Sequence, residues 1–254
     1  MPRLNNMAIL KTESIVLKTF DFRETSIIAS FFTKEHGKIK GILKGIRKDR
    51  KKFGSTLEPF SCNEIIYYQS RNSEIHLVSQ CDCNENFNKI RANIEATAVA
   101  SYLVDLVDHL TAQEEINLNI YSLLFESLRH IDTGAQPQRV SRVFMLKFLK
   151  LIGFKPRLNS CIACNSNIIE QGYFNVKRGG LLCPKCWTDD EYSTGILKGT
   201  IVSLLHMEQS PWQTALRLTI DGEVKEELNR IVDNFVEYHL QVKPKSKAIL
   251  EILS

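Results

Sequence analysis

The chain has 254 residues, 43% of them hydrophobic and 24% charged, with a formal net charge of +4. Those values are ordinary for a globular protein of about two domains and exclude a disordered or fibrous chain. No apolar run reaches the ~18 residues that a membrane-spanning helix needs, so no membrane partner is expected.

Residues 11 to about 82 read as β-rich. Five candidate strands run over Glu13–Phe20, Ser26–Phe32, Lys38–Leu43, Ser61–Tyr68 and Glu74–Ser79, separated by turn-like segments such as Glu35-His36-Gly37. In Lys38–Leu43 basic and apolar residues alternate, which predicts apolar side chains on one face and lysines on an open face. Five short strands in about seventy residues fit a small barrel of the OB type. Cys81 and Cys83 are too close together for a metal knuckle and are expected to end a strand.

Helical signals follow. Val99, Leu103, Leu106, Val107 and Leu110 lie at helical spacing within 90–110. Thr111-Ala112-Gln113-Glu114 has the form of a capping box for a helix bearing Ile116, Ile120, Leu123, Leu124, Leu128 and Ile131. Pro137 is placed to open a third helix, which Gly153 and Pro156 would stop. Ile196–Met207 and a segment capped by Asp221 read as two more. These apolar stripes are read as a bundle core. The class is therefore α+β: an N-terminal five-stranded OB-type barrel at 1–83, then a helical domain at 84–254. A cysteine module at 158–190 interrupts the helices.

That module holds the most specific motif, Cys161-Ile162-Ala163-Cys164 and Cys183-Pro184-Lys185-Cys186, with eighteen residues between the pairs. The spacing falls in the window for a four-thiolate zinc site. A thioredoxin-type redox motif would need one CxxC beside a βαβ pattern, and a disulfide pair would need an oxidising compartment. Four thiolates close a tetrahedral shell, so one structural zinc ion is expected on Cys161, Cys164, Cys183 and Cys186. His206-Met207-Glu208 imitates half of a nucleobase-deaminase signature, but that signature places His-x-Glu before the cysteines, and here it follows them.

Charge is unevenly spread. Between Lys34 and Lys52 nine basic residues face only Glu35 and Asp49, a net +7, so the rest of the chain carries −3 of the total +4. A phosphate backbone needs an array of cations. Lys38, Lys40, Lys44, Arg47, Lys48, Arg50, Lys51 and Lys52 are the candidate nucleic-acid contacts, with Phe53 and one of Tyr67 or Tyr68 as stacking surfaces. Lys155, Arg157, Lys177, Arg178 and Lys185 surround the cysteines and would first balance the charge of the metal–thiolate centre.

Catalytic patterns are missing. No GxxxxGK[ST] loop, no GxGxxG after a strand and no GxSxG elbow is found, and paired carboxylates such as Glu226-Glu227 are explained by solvated faces. A non-enzymatic role is expected. The N-terminal ten residues lack the apolar core of a secretory signal. The odd count of seven cysteines argues against a disulfide framework, so a cytoplasmic location is expected.

Together these parts resemble the bacterial RecO family of recombination mediators. The resemblance rests on Phe31-Phe32-Thr33-Lys34-Glu35-His36-Gly37-Lys38, on Leu43-Lys44-Gly45-Ile46-Arg47, and on Ser55 with Leu57–Phe60. Gly180-Leu181-Leu182-Cys183 and the tail Lys243-Pro244-Lys245-Ser246-Lys247 extend it, and the order of parts matches over the whole chain. The resemblance implies binding of single- and double-stranded DNA and annealing of complementary strands without ATP. It also implies loading of RecA, together with RecR, onto DNA coated by single-stranded-DNA-binding protein. Among the implied partners are RecR and the C-terminal tail of that coating protein, with Arg139, Arg142 and Lys147 as contributors by charge and location. A nucleoid-associated place in the bacterial cytoplasm follows. The competing readings are a zinc-ribbon and barrel adaptor that binds RNA, and a zinc hydrolase with an open metal position.

Overall fold

The structure is a computed structural model and describes residues 8–48, 57–168 and 171–241, with Ser246 and Leu250. The chain forms two compact units, Met1–Gly134 with Pro244–Ser254, and Ala135–Lys243.

The first unit begins with five strands: β1 (Ile9–Phe22), β2 (Ser26–Thr33), β3 (Gly37–Leu43), β4 (Cys62–Tyr68) and β5 (Ile75–Glu85). They close into a barrel in the order β1-β2-β3-β5-β4, antiparallel except for the parallel β3–β5 seam. This is the expected OB-type barrel, with β1 and β5 longer than their apolar stretches alone indicated. Alternation fills the inside with Val16, Ala29, Phe31, Ile39, Leu43, Ile65, Tyr67, Val78 and Cys81. Closure pairs β1 with β4 and so removes the two outer edges that an open sheet would expose.

After the barrel come α1 (Asn88–Arg91), α2 (Ile94–Leu110) and α3 (Leu118–Asp132). Asn93 caps α2 by accepting the Ala96 N–H at 2.9 Å, and Asn117 caps α3 by accepting the Ile120 N–H at 3.1 Å. The Thr111–Glu114 capping box is not used. Thr111 instead ends α2, its hydroxyl donating to the Val107 carbonyl at 2.6 Å. Ile116 lies outside the helix and is exposed.

The connection between α2 and α3 fills a gap in the barrel seam. β5 pairs with β3 only from Lys40 onward, so the start of β3 has no strand on that side. Gln113 bridges Lys38 there, and the Glu114 N–H donates to the Lys38 carbonyl at 2.9 Å. Gly37 makes this approach possible: a β-carbon on it would lie 2.3 Å from the Glu115 carbonyl oxygen, and its φ is +67°.

The second unit holds α4 (Pro137–Leu151), β6 (Gln171–Asn175), β7 (Gly180–Leu182), β8 (Ser193–Leu197), α5 (Lys198–Gln209), α6 (Trp212–Ala215) and α7 (Gly222–Leu240). Pro137 opens α4 as expected. Ile196 belongs to β8, which pairs with β6 in a three-stranded sheet, and α5 starts after it. Asp221 occupies the N-cap of α7 without a side-chain cap bond. His239 packs against Phe235 and Phe154, with its Nε2 2.7 Å from the Val176 carbonyl oxygen.

Candidate nucleic-acid face and metal centre

α2 covers part of the outer face of β1–β3. Asp105 and Asp108 point from it toward the strands. Lys18 lies 2.9 Å from Asp108 and 3.3 Å from Asp105, and the Ser30 hydroxyl donates to Asp108 at 3.2 Å. Burial alone would lower the Lys18 ammonium, but the hydrogen bonds and charges of Asp108 and Asp105 raise it. Ser246 of the C-terminal tail also donates to Asp105, at 2.6 Å.

Lys38 belongs to this packing. It is 6% exposed, and its ammonium donates to the Asp108 carbonyl. Burial holds its titration below the ordinary lysine range. The expected open lysine face therefore fails at Lys38, because a helix lies over that end of β3.

Beyond the helix no other described element covers the outer face. Cross-strand register puts Phe20, Ile28, Ile42 and Leu77 in one row over β1, β2, β3 and β5. Phe20 is 56% exposed and the other three are half-buried. Lys40 stands two residues before Ile42 on β3, and Lys44 lies in the turn just after the strand. Lys40 pairs with Glu74 at 3.6 Å and Arg47 pairs with Asp21, while Lys44 and Lys48 are exposed. Exposed pairs of this kind contribute little and exchange readily for phosphate. Arg50, Lys51, Lys52 and Phe53 lie outside the described residues. Tyr67 is in the barrel core and Tyr68 is half-buried. Phe20, an exposed aromatic side chain in the same cross-strand row as Ile42, is not singled out by sequence; its pairing with Ile28 is the missing signal.

In the second unit the four cysteine sulfurs lie within 4.8 Å of one another. The Asn165 N–H donates to the Cys161 carbonyl at 2.9 Å, and the Cys186 and Trp187 N–H groups donate to the Cys183 carbonyl at 3.0 Å. These turns aim the sulfurs inward. Strand β7 brings the pairs together: the Arg157 N–H donates to Gly179 and the Ile162 N–H to Leu181. Gly180 allows this close approach, since a β-carbon there would lie 2.8 Å from the Arg157 carbonyl oxygen and 2.6 Å from Ile162 Cγ2.

Cys164 and Cys183 sulfurs are 3.7 Å apart, close to the ~3.8 Å edge of a tetrahedron with metal–sulfur bonds of about 2.3 Å. Burial pushes the Cys161 thiol up, but backbone amides from Cys183, Cys164 and Ala163 outweigh it and bring it down to about 6. The Ser166 hydroxyl lowers Cys183, whereas the neighbouring Cys164 and Cys183 sulfurs push Cys186 up to about 12. Four thiolates this close repel one another, and a divalent cation removes that repulsion. The set fits a metal ion. Tyr173 and Trp187 stack beside it at 4.1 Å.

Of the surrounding cations, Lys155 is turned to Glu208, 3.0 Å from its carboxylate, and Lys177 lies over the Tyr192 ring. His206 sits on α5 and lies outside the sulfur cluster. Arg139 donates to the Leu216 carbonyl at 2.7 Å, Arg142 to Asn229 at 3.4 Å and Lys147 to the Ser210 carbonyl at 2.7 Å. These three hold α4 against the segments that follow. Among the described residues no helix is long and apolar enough to cross a membrane.

Recombination protein O N terminal matches residues 7–87, and Recombination protein O C terminal matches residues 91–248. The chain belongs to the RecO family. Its relatives include the DNA repair protein RecO of Syntrophus aciditrophicus, 32% identical over 252 residues, covering 98% of this chain and 97% of that protein. The DNA repair protein RecO of Desulfatibacillum aliphaticivorans is 29% identical over 253 residues, 97% of this chain and 98% of the relative. That of Moorella thermoacetica is 28% identical over 244 residues, 95% and 90% respectively. The two family models follow each other along the chain, and the alignments with these relatives run over 90% or more of both sequences.

Proposed function

We propose that this protein binds DNA through the uncovered barrel face and anneals complementary strands without ATP. Lys40, Lys44, Arg47 and Lys48, with Arg50, Lys51 and Lys52, supply phosphate contacts. Phe20 and the apolar row beside it stack unpaired bases. Two polyanions repel each other, and a cation array that neutralises both brings them within pairing distance. With RecR the protein helps to load RecA onto DNA coated by single-stranded-DNA-binding protein, whose C-terminal tail is a partner. It works in the bacterial cytoplasm, associated with the nucleoid, and is not an enzyme.

In this reading residues 1–83 are the DNA-binding domain and 84–254 the helical domain, with 158–190 as its metal module. One zinc ion on Cys161, Cys164, Cys183 and Cys186 has a structural role: four thiolates leave it no open position for substrate.

The observation that carries the proposal is the apolar row from Phe20 through Ile28 to Ile42, with Lys40 on the same strand as Ile42 and exposed Lys44 in the turn after it, in a chain of the RecO family. The test is annealing of complementary DNA oligonucleotides without nucleotide, titrated with salt, with RNA of the same sequence as comparator. About four phosphate contacts give a log–log salt slope of roughly −3 for single strands. Absence of annealing, or tighter binding to RNA, would overturn the reading.

A further inference from the structure

The barrel carries a concavity beside the Lys40 end of the lysine row, where Lys40 pairs with Glu74. The loop between β4 and β5 and the 113–114 segment bound a cleft of about 490 Å³. A smaller pocket of about 140 Å³ shares Ile39, Gln69 and Glu114 with it. The small pocket has room for one six-membered ring, and a two-ring purine would have to extend into the wider cleft.

The polar groups of the small pocket lie close together. Tyr67 lines it, is 1% exposed, and stacks on His76 at 5.3 Å. Burial, and then the charge of Glu114, pushes the phenol up to about 12, so it remains a donor. His76, 2% exposed, accepts the Ser70 N–H on Nδ1 at 3.2 Å, which leaves its proton on Nε2. That nitrogen faces Glu114 Oε1 at 3.4 Å. Glu114 is itself held by a left-handed backbone, φ 58°, and by its N–H bond to Lys38. Non-glycine residues in that conformation concentrate at ligand sites.

A buried phenol thus offers a proton, and a positioned carboxylate keeps one oxygen to accept one. The Gln69 amide beside them can do either. The complement is a small planar ring with an exocyclic amine next to a ring acceptor. Cytosine has that edge, N4–H₂ beside N3, and a carboxylate accepting from N4 is its established pairing. Uracil or thymine would set a carbonyl oxygen against Glu114. Arg71 at the cleft wall and Lys40 on its rim, beside Glu74, supply cations for the flanking phosphates.

We propose that this pocket receives one unpaired cytosine of a bound strand, with Glu114 accepting from N4 and Tyr67 donating to N3 or O2. The inference rests on the DNA-binding reading above and adds a base preference to it. Fluorescein-labelled dC15 and dU15 would be compared by anisotropy in mildly alkaline buffer at fixed salt, with Glu114→Gln and Tyr67→Phe beside the unaltered protein. The expected result is about tenfold tighter binding of dC15, with the ratio falling to near one in either variant. Urea midpoints of both variants would verify that they fold. Equal binding of the two oligonucleotides by the unaltered protein, or a ratio that survives both substitutions, overturns the pocket and leaves the DNA-binding reading standing. If neither oligonucleotide binds, both fall.

Discussion

The Lys38 ammonium donates to the carbonyl oxygen of Asp108, in the last turn of α2. The last four carbonyls of a helix lack intrahelical partners, and a cation there also meets the negative end of the helix dipole. A residue that sequence places in a DNA-binding array is therefore a tether between strand and helix. Lys38→Met should cost about 1–2 kcal/mol in urea unfolding and leave oligonucleotide affinity within twofold. The triple change of Lys44, Arg47 and Lys48 to Glu should do the reverse: a lost DNA complex with an unchanged urea midpoint.

Gly37 meets the Glu115 backbone where the 111–116 segment enters the barrel seam. Gly37→Ala places a β-carbon 2.3 Å from the carbonyl oxygen at a φ of +67°. The strand start or the segment must shift. We expect a loss of at least about 2 kcal/mol, measured by denaturant unfolding, and faster amide exchange around Glu114.

Phe20 stands 56% exposed in cross-strand register with Ile28. Phe20→Ala removes little packing. It should weaken single-strand binding about tenfold, the worth of one base stacked on an aromatic ring, and weaken duplex binding much less, because paired bases are already stacked. Equal losses on both would remove Phe20 as a stacking residue.

Metal removal tests the four sulfurs directly. A chelator at elevated temperature, or Cys161→Ser, should destabilise the module by more than about 3 kcal/mol and open 158–190 to protease. Cobalt added to the stripped protein should give the absorption of a tetrahedral thiolate site. Metal analysis showing no ion, with stability unaffected by Cys161→Ser, would count against the centre.

Glu208 is buried on α5, and its carboxylate lies 3.0 Å from both Lys150 and Lys155. Burial would raise its titration, but the hydrogen bonds and charges of Lys155 and Lys150 lower it below the ordinary carboxylate value. A folded-state value below the unfolded one contributes stability above the unfolded value, and that stability is lost as pH falls through the folded one. Glu208→Gln should therefore flatten the fall in stability below about pH 4.5, followed by urea midpoints against pH. An unchanged slope would show that other carboxylates govern the acid limb.

Short-range patterns in this chain are legible residue by residue. Alternation around Phe31 and Ile39 announces strands, and Gly37 and Pro137 mark a turn and a helix start. The barrel, its strand count and the helical remainder follow from such signals, which act over a few residues. The helix boundary at Thr111 is not legible in this way, because a capping box is satisfied only if the chain turns there. In this fold the Thr111–Glu114 backbone is drawn to β3 instead. β8 escapes for a similar reason: Ser193–Leu197 is a strand because β6 pairs with it, and its own residues hold no strong alternation.

The chain's own order of residues determined the cysteine centre, since two CxxC turns aim their sulfurs wherever a hairpin returns between them. It also determined that positive charge gathers near β3. Only the folded molecule decided which of those charges meets solvent. Strand alternation states which side chains share a face but not where a helix will lie across it, and α2 lies over Lys38 while leaving Phe20, Lys40 and Lys44 open. The pocket at Tyr67, His76 and Glu114 was decided the same way. Its groups come from two strands and an interhelical segment, and only barrel closure and the bridge at Gln113 bring them together.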